Sequence, residues 1–280
     1  HSHSMAVLES TQTSSWTTSG STVVLTKPVD LAVGDILVCR ISTGFSATIS
    51  DFSVFTSLGD AASAEHVTYI DVKIADSSDV SATNFTITMS SGGVLKMGSL
   101  SRISNADTLF SNYKYVEGSA TNTISPSFSG LTPTNHADDN LILQFWTGDN
   151  SNSGIPTIGS YAIATDNPSW TEIYEISDSS GIDVTASMAS ATRSQTTATG
   201  NFSASWSDGT TDSCGQMIAI TIPWRIDINE TITLTETYLY PIQSIIVQES
   251  VTLTEDVDVT KQRMYTNTDK SSTTWINQNK

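Results

Sequence analysis

Ile228-Asn229-Glu230-Thr231-Ile232-Thr233-Leu234-Thr235-Glu236 returns as Val247-Gln248-Glu249-Ser250-Val251-Thr252-Leu253-Thr254-Glu255, nineteen positions on (247 − 228 = 19). Side chains alternate within each copy. Ile226, Ile228, Ile232, Leu234, Tyr238 and Tyr240 share one face, opposite Asp227, Asn229 and a row of threonines. In the second copy Ile245, Val247, Val251, Leu253, Val257 and Val259 oppose Gln248, Ser250, Thr252, Thr254, Asp256 and Asp258. A period of two predicts half-buried β-strands. Two such strands are marginal as an isolated hairpin in water. Their apolar face needs a cover, either the main domain or copies of the same segment from other chains. Ile228, Ile232, Leu234, Val247, Val251 and Leu253 are therefore expected to form an assembly row.

Working outward, the rest of the chain is also written in strands. Val23-Val24-Leu25, Asp35 to Ile41, Val67 to Ile74, Phe85 to Met89, Lys96 to Ile103 and Leu141 to Trp146 are short apolar or alternating runs. Trp170 to Ile176, Asp183 to Ala191, Asn201 to Trp206 and Gln216 to Ile222 continue the series. Turn-forming clusters separate them, among them Asp76-Ser77-Ser78-Asp79, Ser91-Gly92-Gly93, Asp149 to Gly154 and Ser207-Asp208-Gly209. No segment carries a 3.6-residue period beyond two turns. The predicted fold is all-β: an antiparallel, jelly-roll-like β-sandwich followed by a C-terminal β-repeat extension. His1 to Met5 read as an appended tag. The sandwich is expected over 6–224, the two-copy repeat over 225–260 and a polar tail over 261–280.

Charge narrows the partners. The chain has 29 acidic and 12 basic residues and a formal net charge of -17 at pH 7. Such a polyanion repels nucleic acid and anionic membranes. No apolar stretch approaches the ~20 residues of a membrane-spanning helix. Cys39 and Cys214 are too few for a disulfide framework. Two buried free thiols are expected, with a single bridge as the alternative.

The N-terminal motifs carry a resemblance. Lys27-Pro28-Val29-Asp30-Leu31-Ala32-Val33-Gly34-Asp35-Ile36-Leu37-Val38 resembles the P-x-G-V-x-x-G-D-x-L-V opening of a β-sandwich module of tailed-phage virion proteins, also found in secreted bacterial surface proteins. Tyr69 to Asp76 resembles its middle strand with an acidic turn. Ser99 to Asp107 resembles its Y-S-G-V-D stretch, without the aromatic and the glycine. Asp138 to Leu143, Ala198 to Phe202 and Ile218 to Ile222 complete the order, and the Thr-Ile-Thr-Leu-Thr-Glu repeats resemble phage appendage sequence. The resemblance implies a virion structural or adhesive module, extracellular and non-enzymatic. Other virion proteins are its expected partners, and a homo-oligomer, a trimer by analogy with phage fibres, its expected form.

Catalytic chemistry finds little footing. Outside the tag only His66 and His136 remain, and zinc would need three or four gathered ligands. Asp149, Ser151 and Ser153 before Gly154 resemble part of an EF-hand loop, but Ser160 stands where a bidentate glutamate belongs. No cofactor is expected, with calcium the one metal to consider; Asp138, Asp139, Asp149 and Asp208 are its loop acids. A hydrolase would need one of the two histidines beside a serine and an acid. Glu172 and Glu175, three apart on one strand, are expected on opposite faces, which denies a glycoside hydrolase that carboxylate pair. The stronger alternative is a glycan-binding adhesive module for cell-surface sugars. Its candidate residues are Trp146, Trp170, Tyr161 and Tyr174, which surround the Asp149 to Pro168 loop, although an aromatic in a sandwich commonly fills the core.

Overall fold

The computed structural model describes residues 5–44, 47–51, 54–134, 139–150, 154–179, 183–208, 211–223, 225–228 and 244–247. They belong to two compact units, one ending at Ile222 and one beginning at Pro223. The boundary falls where the last apolar strand of the expected sandwich runs out.

The first unit holds two sandwiches rather than one. The N-terminal half contains Val7–Thr13 (β1), Thr22–Thr26 (β2), Ile36–Gly44 (β3), Ile49–Asp51 (β4), Thr56–Ala62 (β5), His66–Ile74 (β6), Asn84–Met89 (β7) and Lys96–Ser104 (β8). The C-terminal half contains Lys114–Ala120 (β9), Ser127–Phe128 (β10), Asn140–Asn150 (β11), Ile158–Ile163 (β12), Thr171–Asp178 (β13), Asp183–Arg193 (β14), Phe202–Trp206 (β15) and Asp212–Ile220 (β16). In the first half the sheets are ordered β1-β8-β3-β6-β5 and β2-β7-β4. In the second they are ordered β9-β16-β11-β14-β13 and β10-β15-β12. Adding eight to every strand of the first half reproduces the second. All these pairings are antiparallel, and β1 with β8, β2 with β7 and β3 with β6 nest as in a rolled-up hairpin, the jelly-roll plan.

The correspondence reaches single residues. Asn84-Phe85-Thr86 opens β7, and Asn201-Phe202-Ser203 leads into β15. Fourteen positions after each asparagine (98 − 84 and 215 − 201) stands a glycine. Gly98 lies across from Ile41 and Gly215 across from Trp146. A Cβ at Gly98 would come within 2.7 Å of Ile41 Cδ1, and one at Gly215 within 2.7 Å of Trp146 Cζ3. In both halves a missing side chain makes room for a large one on the neighbouring strand.

Four sheets stack into four layers. Val23, Leu25, Leu37, Cys39, Ile41 and Ile87 fill the first sandwich. Ile142, Trp146, Met217, Phe202, Ala204 and Trp206 fill the second. The two five-stranded sheets then pack on each other through Ile36, Val38, Ile70 and Val72 on one side and Leu141, Leu143, Phe145 and Ile218 on the other. Strands β3 and β11 are thus covered on both faces, which is why Ile36-Leu37-Val38-Cys39 and Leu141-Ile142-Leu143 read as continuous apolar runs. The outer strand β2 alternates exposed and buried residues, as one covered face requires. The sandwiches meet through equivalent faces. Gly59 of β5 lies against the ring of Tyr115 on β9, and Trp16, just beyond β1, donates its indole N–H to Ile176 O of β13 at 2.8 Å. Adding eight to β5 gives β13, and adding eight to β1 gives β9, so the two contacts correspond.

Helix is confined, among the described residues, to Ser77–Ser81 (α1) and a three-residue 3-10 turn, Phe110–Asn112. The turn expected over Asp76 to Asp79 is a capped helix. Asp76 Oδ1 accepts the Ser78 and Asp79 amides at 2.8 and 3.0 Å, and Asp79 Oδ2 accepts the Asp76 amide at 2.9 Å. The bond from the Ser78 hydroxyl, with those from the amides and Lys73, holds the Asp76 carboxyl well below its ordinary range. Gly34-Asp35 is structural: Gly34 has φ 93°, and Asp35 Oδ2 accepts the Ala32 amide at 2.8 Å and Arg102 Nε at 2.6 Å. Cys39 and Cys214 are both buried free thiols.

Candidate functional site

Polar side chains gather at two places, the edge of β12 and β13 and the seam between the sandwiches, and the C-terminal strand pair is a third place to consider.

At the edge of β12 and β13 the geometry corrects the expectation for Glu172 and Glu175. Glu172 pairs with Ala189 and Tyr174 with Met188, so Ile173 is an extra residue in the ladder. The bulge resets the alternation and turns both glutamates the same way, towards β12. Tyr161 Oη donates to Glu172 Oε2 at 2.7 Å, and the Ile158 amide donates to Glu175 Oε2 at 2.9 Å. Burial, with the Glu172 charge adding to it, pushes the Glu175 carboxyl up, and the Ile158 amide partly offsets this. Both carboxylates therefore fasten strands of two different sheets.

The same bulge divides the aromatic set. Trp146 is wholly enclosed in the second core, stacked on Phe128 at 5.5 Å and tilted against Phe202 at 5.5 Å, so it has no face to offer a sugar. Tyr161 is buried and committed to Glu172. Tyr174 points to the opposite side of its sheet, where its hydroxyl meets Ser99 Oγ at 2.9 Å. Trp170 is half-buried against the second core, its indole N–H held by Asn167 Oδ1 at 2.9 Å.

The seam between the sandwiches carries a buried polar network. Arg40, fully buried, donates to Trp146 O at 2.8 Å, to Thr147 Oγ1 and to Tyr174 Oη at 3.4 Å. Ser42 Oγ lies 2.7 Å from Thr147 Oγ1. Gln216 Nε2 donates to Tyr115 Oη at 2.7 Å. His66 Nε2 lies 3.1 Å from Thr147 O, which can only accept, so Nε2 carries the proton and Nδ1 accepts from Ser63 Oγ at 3.2 Å. Burial pushes the His66 pKa down to about 4, with the Arg40 charge adding to it and the Thr147 carbonyl opposing it. Ser63 is itself buried, and its oxygen also faces the Glu65 and His66 amides, each at 3.3 Å. This serine–histidine contact shapes the turn between β5 and β6.

Asp149, expected in a loop, is the penultimate residue of β11, buried and paired across the ladder with Asp212. Burial, then the charges of Glu65 and Asp212, push its carboxyl up to about 7. It lines a small cavity at the seam's end with His66, Thr43, Trp16 and Glu65. Ser151, Ser153, Asp138 and His136 lie outside the described residues, and among the described residues no three His, Cys, Asp or Glu side chains gather as metal ligands. Also among the described residues, no helix is long and apolar enough to cross a membrane.

The C-terminal pair is a short parallel ladder. Arg225–Ile228 (β17) and Ser244–Val247 (β18) run parallel, with Arg225 opposite Ser244, Ile226 opposite Ile245, Asp227 opposite Ile246 and Ile228 opposite Val247. Of the expected assembly row, Ile228 and Val247 are neighbours in this ladder; Ile232, Leu234, Val251 and Leu253 lie outside the described residues.

Two features escaped sequence reasoning. The bulge at Ile173 has no compositional mark. The duplication had one, the Asn-Phe pairs at 84 and 201 with their glycines at 98 and 215. Comparison with protein-family models, with curated proteins and with solved structures gave no match.

Proposed function

We propose that this chain is a non-enzymatic structural protein of a phage virion, a fibre, decoration or tail-associated appendage, which works by self-assembly and attachment. One observation carries the reading: Arg225–Ile228 and Ser244–Val247, the strands that lead into the two copies of the C-terminal repeat, lie side by side in parallel at the repeat's own nineteen-residue offset. A strand pair of this kind leaves backbone groups and apolar rows to be covered, and more strands of the same sequence cover both. The stacked sandwiches supply a rigid body, and their buried polar seam serves registration, since its groups bond one another. The phage-module resemblance of the Lys27 to Val38 opening supports the virion setting. Cell-surface glycan attachment is a weaker reading, because Trp146 is enclosed and Tyr161 and Tyr174 are engaged internally.

The test is molar mass by light scattering on the full chain and on a chain ending at Pro223. The first unit closes its own cores, so the shortened chain is expected as a folded monomer and the full chain as a homo-oligomer. Monomeric mass for both removes the assembly role.

A further inference from the structure

The mode of that assembly can be read one step further. Parallel neighbours need a crossover of about a dozen residues or more, and residues 229–243 separate Ile228 from Ser244. The ladder offset is nineteen (244 − 225), the same as the offset of the written repeat (247 − 228). The strand register thus follows the sequence period, and like is set beside like over these four positions.

We propose that a second copy of this chain supplies the next rungs, adding head to tail so that its Arg225–Ile228 strand lies beside the first copy's Ser244–Val247. This rests on the assembly reading above and specifies its register. Among the described residues each of the two strands has the other as its partner, and in this proposal the far edge of each is taken by a second copy. Those edges differ, one belonging to the first repeat and one to the second, which makes the contact heterologous. Within the chain one more period lands on Arg263-Met264-Tyr265-Thr266, but Lys270 and Ser272 then stand where Val251 and Leu253 stood. The 280 residues thus write the apolar rung twice and not a third time. A second copy carries the same sequence rows at the same spacing, and its Arg225–Ile228 strand continues the ladder beyond Ser244–Val247.

Disulfide trapping on the full chain tests the register. Asp227→Cys and Ile246→Cys variants are prepared separately, mixed and oxidised, with oligomer mass measured on the same samples. The proposal expects a linked dimer in the mixture and none in either variant alone. In a head-to-tail ladder, positions 227 and 246 of successive copies sit one strand apart, ~4.8 Å. Two 227 positions sit two strands apart, ~9.6 Å, beyond disulfide reach. The native thiols are buried and do not compete. A second pair, Arg225→Cys with Ser244→Cys, samples the same register should the first pair disturb assembly. An oligomer that links in neither mixture, or that links 227 to 227, overturns the head-to-tail ladder and leaves self-assembly standing. A monomeric full chain overturns both.

Discussion

The two sandwiches share every strand pairing but not their filling. The first is packed with aliphatic side chains around Leu25, Leu37, Ile41 and Ile87. The second is packed with rings, Trp146 against Phe128 and Phe202, with Trp206 beside them. Ile41 and Trp146 occupy the same place in the two halves, each across from a glycine. Topology is thus set by where apolar and polar residues alternate and where turns fall, while the identity of the core residue can change if a neighbour gives way. The tolerance has a physical cost in rigidity of choice: a tryptophan leaves less freedom around it than an isoleucine does.

The largest expected effect breaks that comparison by emptying the equivalent positions. Trp146→Ala is expected to cost ~3–5 kcal/mol and Ile41→Ala ~2–5 kcal/mol, with the tryptophan variant the worse because it removes ring contacts as well as area. Denaturant unfolding of the full chain gives both values, and equal losses would mean that the ring stacking adds nothing.

Filling the glycine gaps gives a smaller effect and sharpens the contrast. At Gly215 a methyl would press on Trp146 Cζ3 at 2.7 Å and Phe128 Cε2 at 2.9 Å, two rings that cannot both yield. At Gly98 it meets Ile41 Cδ1 at 2.7 Å, the far end of a flexible chain. Gly215→Ala is expected to lose ~1–3 kcal/mol by overpacking, and Gly98→Ala less. The midpoint of thermal unfolding orders the two, and the reverse order would refute the packing account.

The smallest effect is the pH dependence at the seam, where the halves contribute opposite signs. Asp149 of the second half is neutral-favouring, with its folded pKa raised to about 7. Its contribution to stability is full below the unfolded carboxyl pKa and is lost as pH rises through about 7. His66 of the first half has its folded pKa lowered to about 4. Its contribution is full above the unfolded imidazole pKa and is lost as pH falls through about 4. Burial leads both shifts, with the charges of Glu65 and Asp212 adding to it at Asp149 and that of Arg40 at His66. Between pH 4 and 6.5 the two slopes oppose each other, which flattens the wild-type profile. Asp149→Asn is expected to add ~1–2 kcal/mol at pH 8 and to leave stability rising with pH over that window. An unchanged profile, followed by urea midpoints from pH 4 to 8, would remove Asp149 from the account.

Much of the fold was legible before any coordinates. The ten strands read from the sequence are all present, because central strands are apolar throughout and outer ones alternate. The strands that escaped notice are edge or short ones: Thr-Ser-Leu-Gly-Asp-Ala-Ala of β5 and Lys-Tyr-Val-Glu-Gly-Ser-Ala of β9 carry little apolar signal. Edge strands keep one side of their backbone unpaired and tolerate polar and small residues, so period two fades there. The single sandwich expected over 6–224 is two for the same reason: with edges unread, three of the eight strands in each set were missing. The Glu172 and Glu175 reading failed on one inserted residue, which reverses every face after it.

By itself the amino-acid sequence determined that the chain is built of strands and that a nine-residue segment is written twice, nineteen positions apart. Local alternation and turn chemistry act over a few residues, so a string of letters carries them. Only the tertiary structure decided which strands are neighbours, that the two halves share one plan and face each other through the same side, and that Arg225–Ile228 and Ser244–Val247 run parallel. Those choices join residues up to a hundred and more positions apart, and they are settled by which apolar faces find cover together.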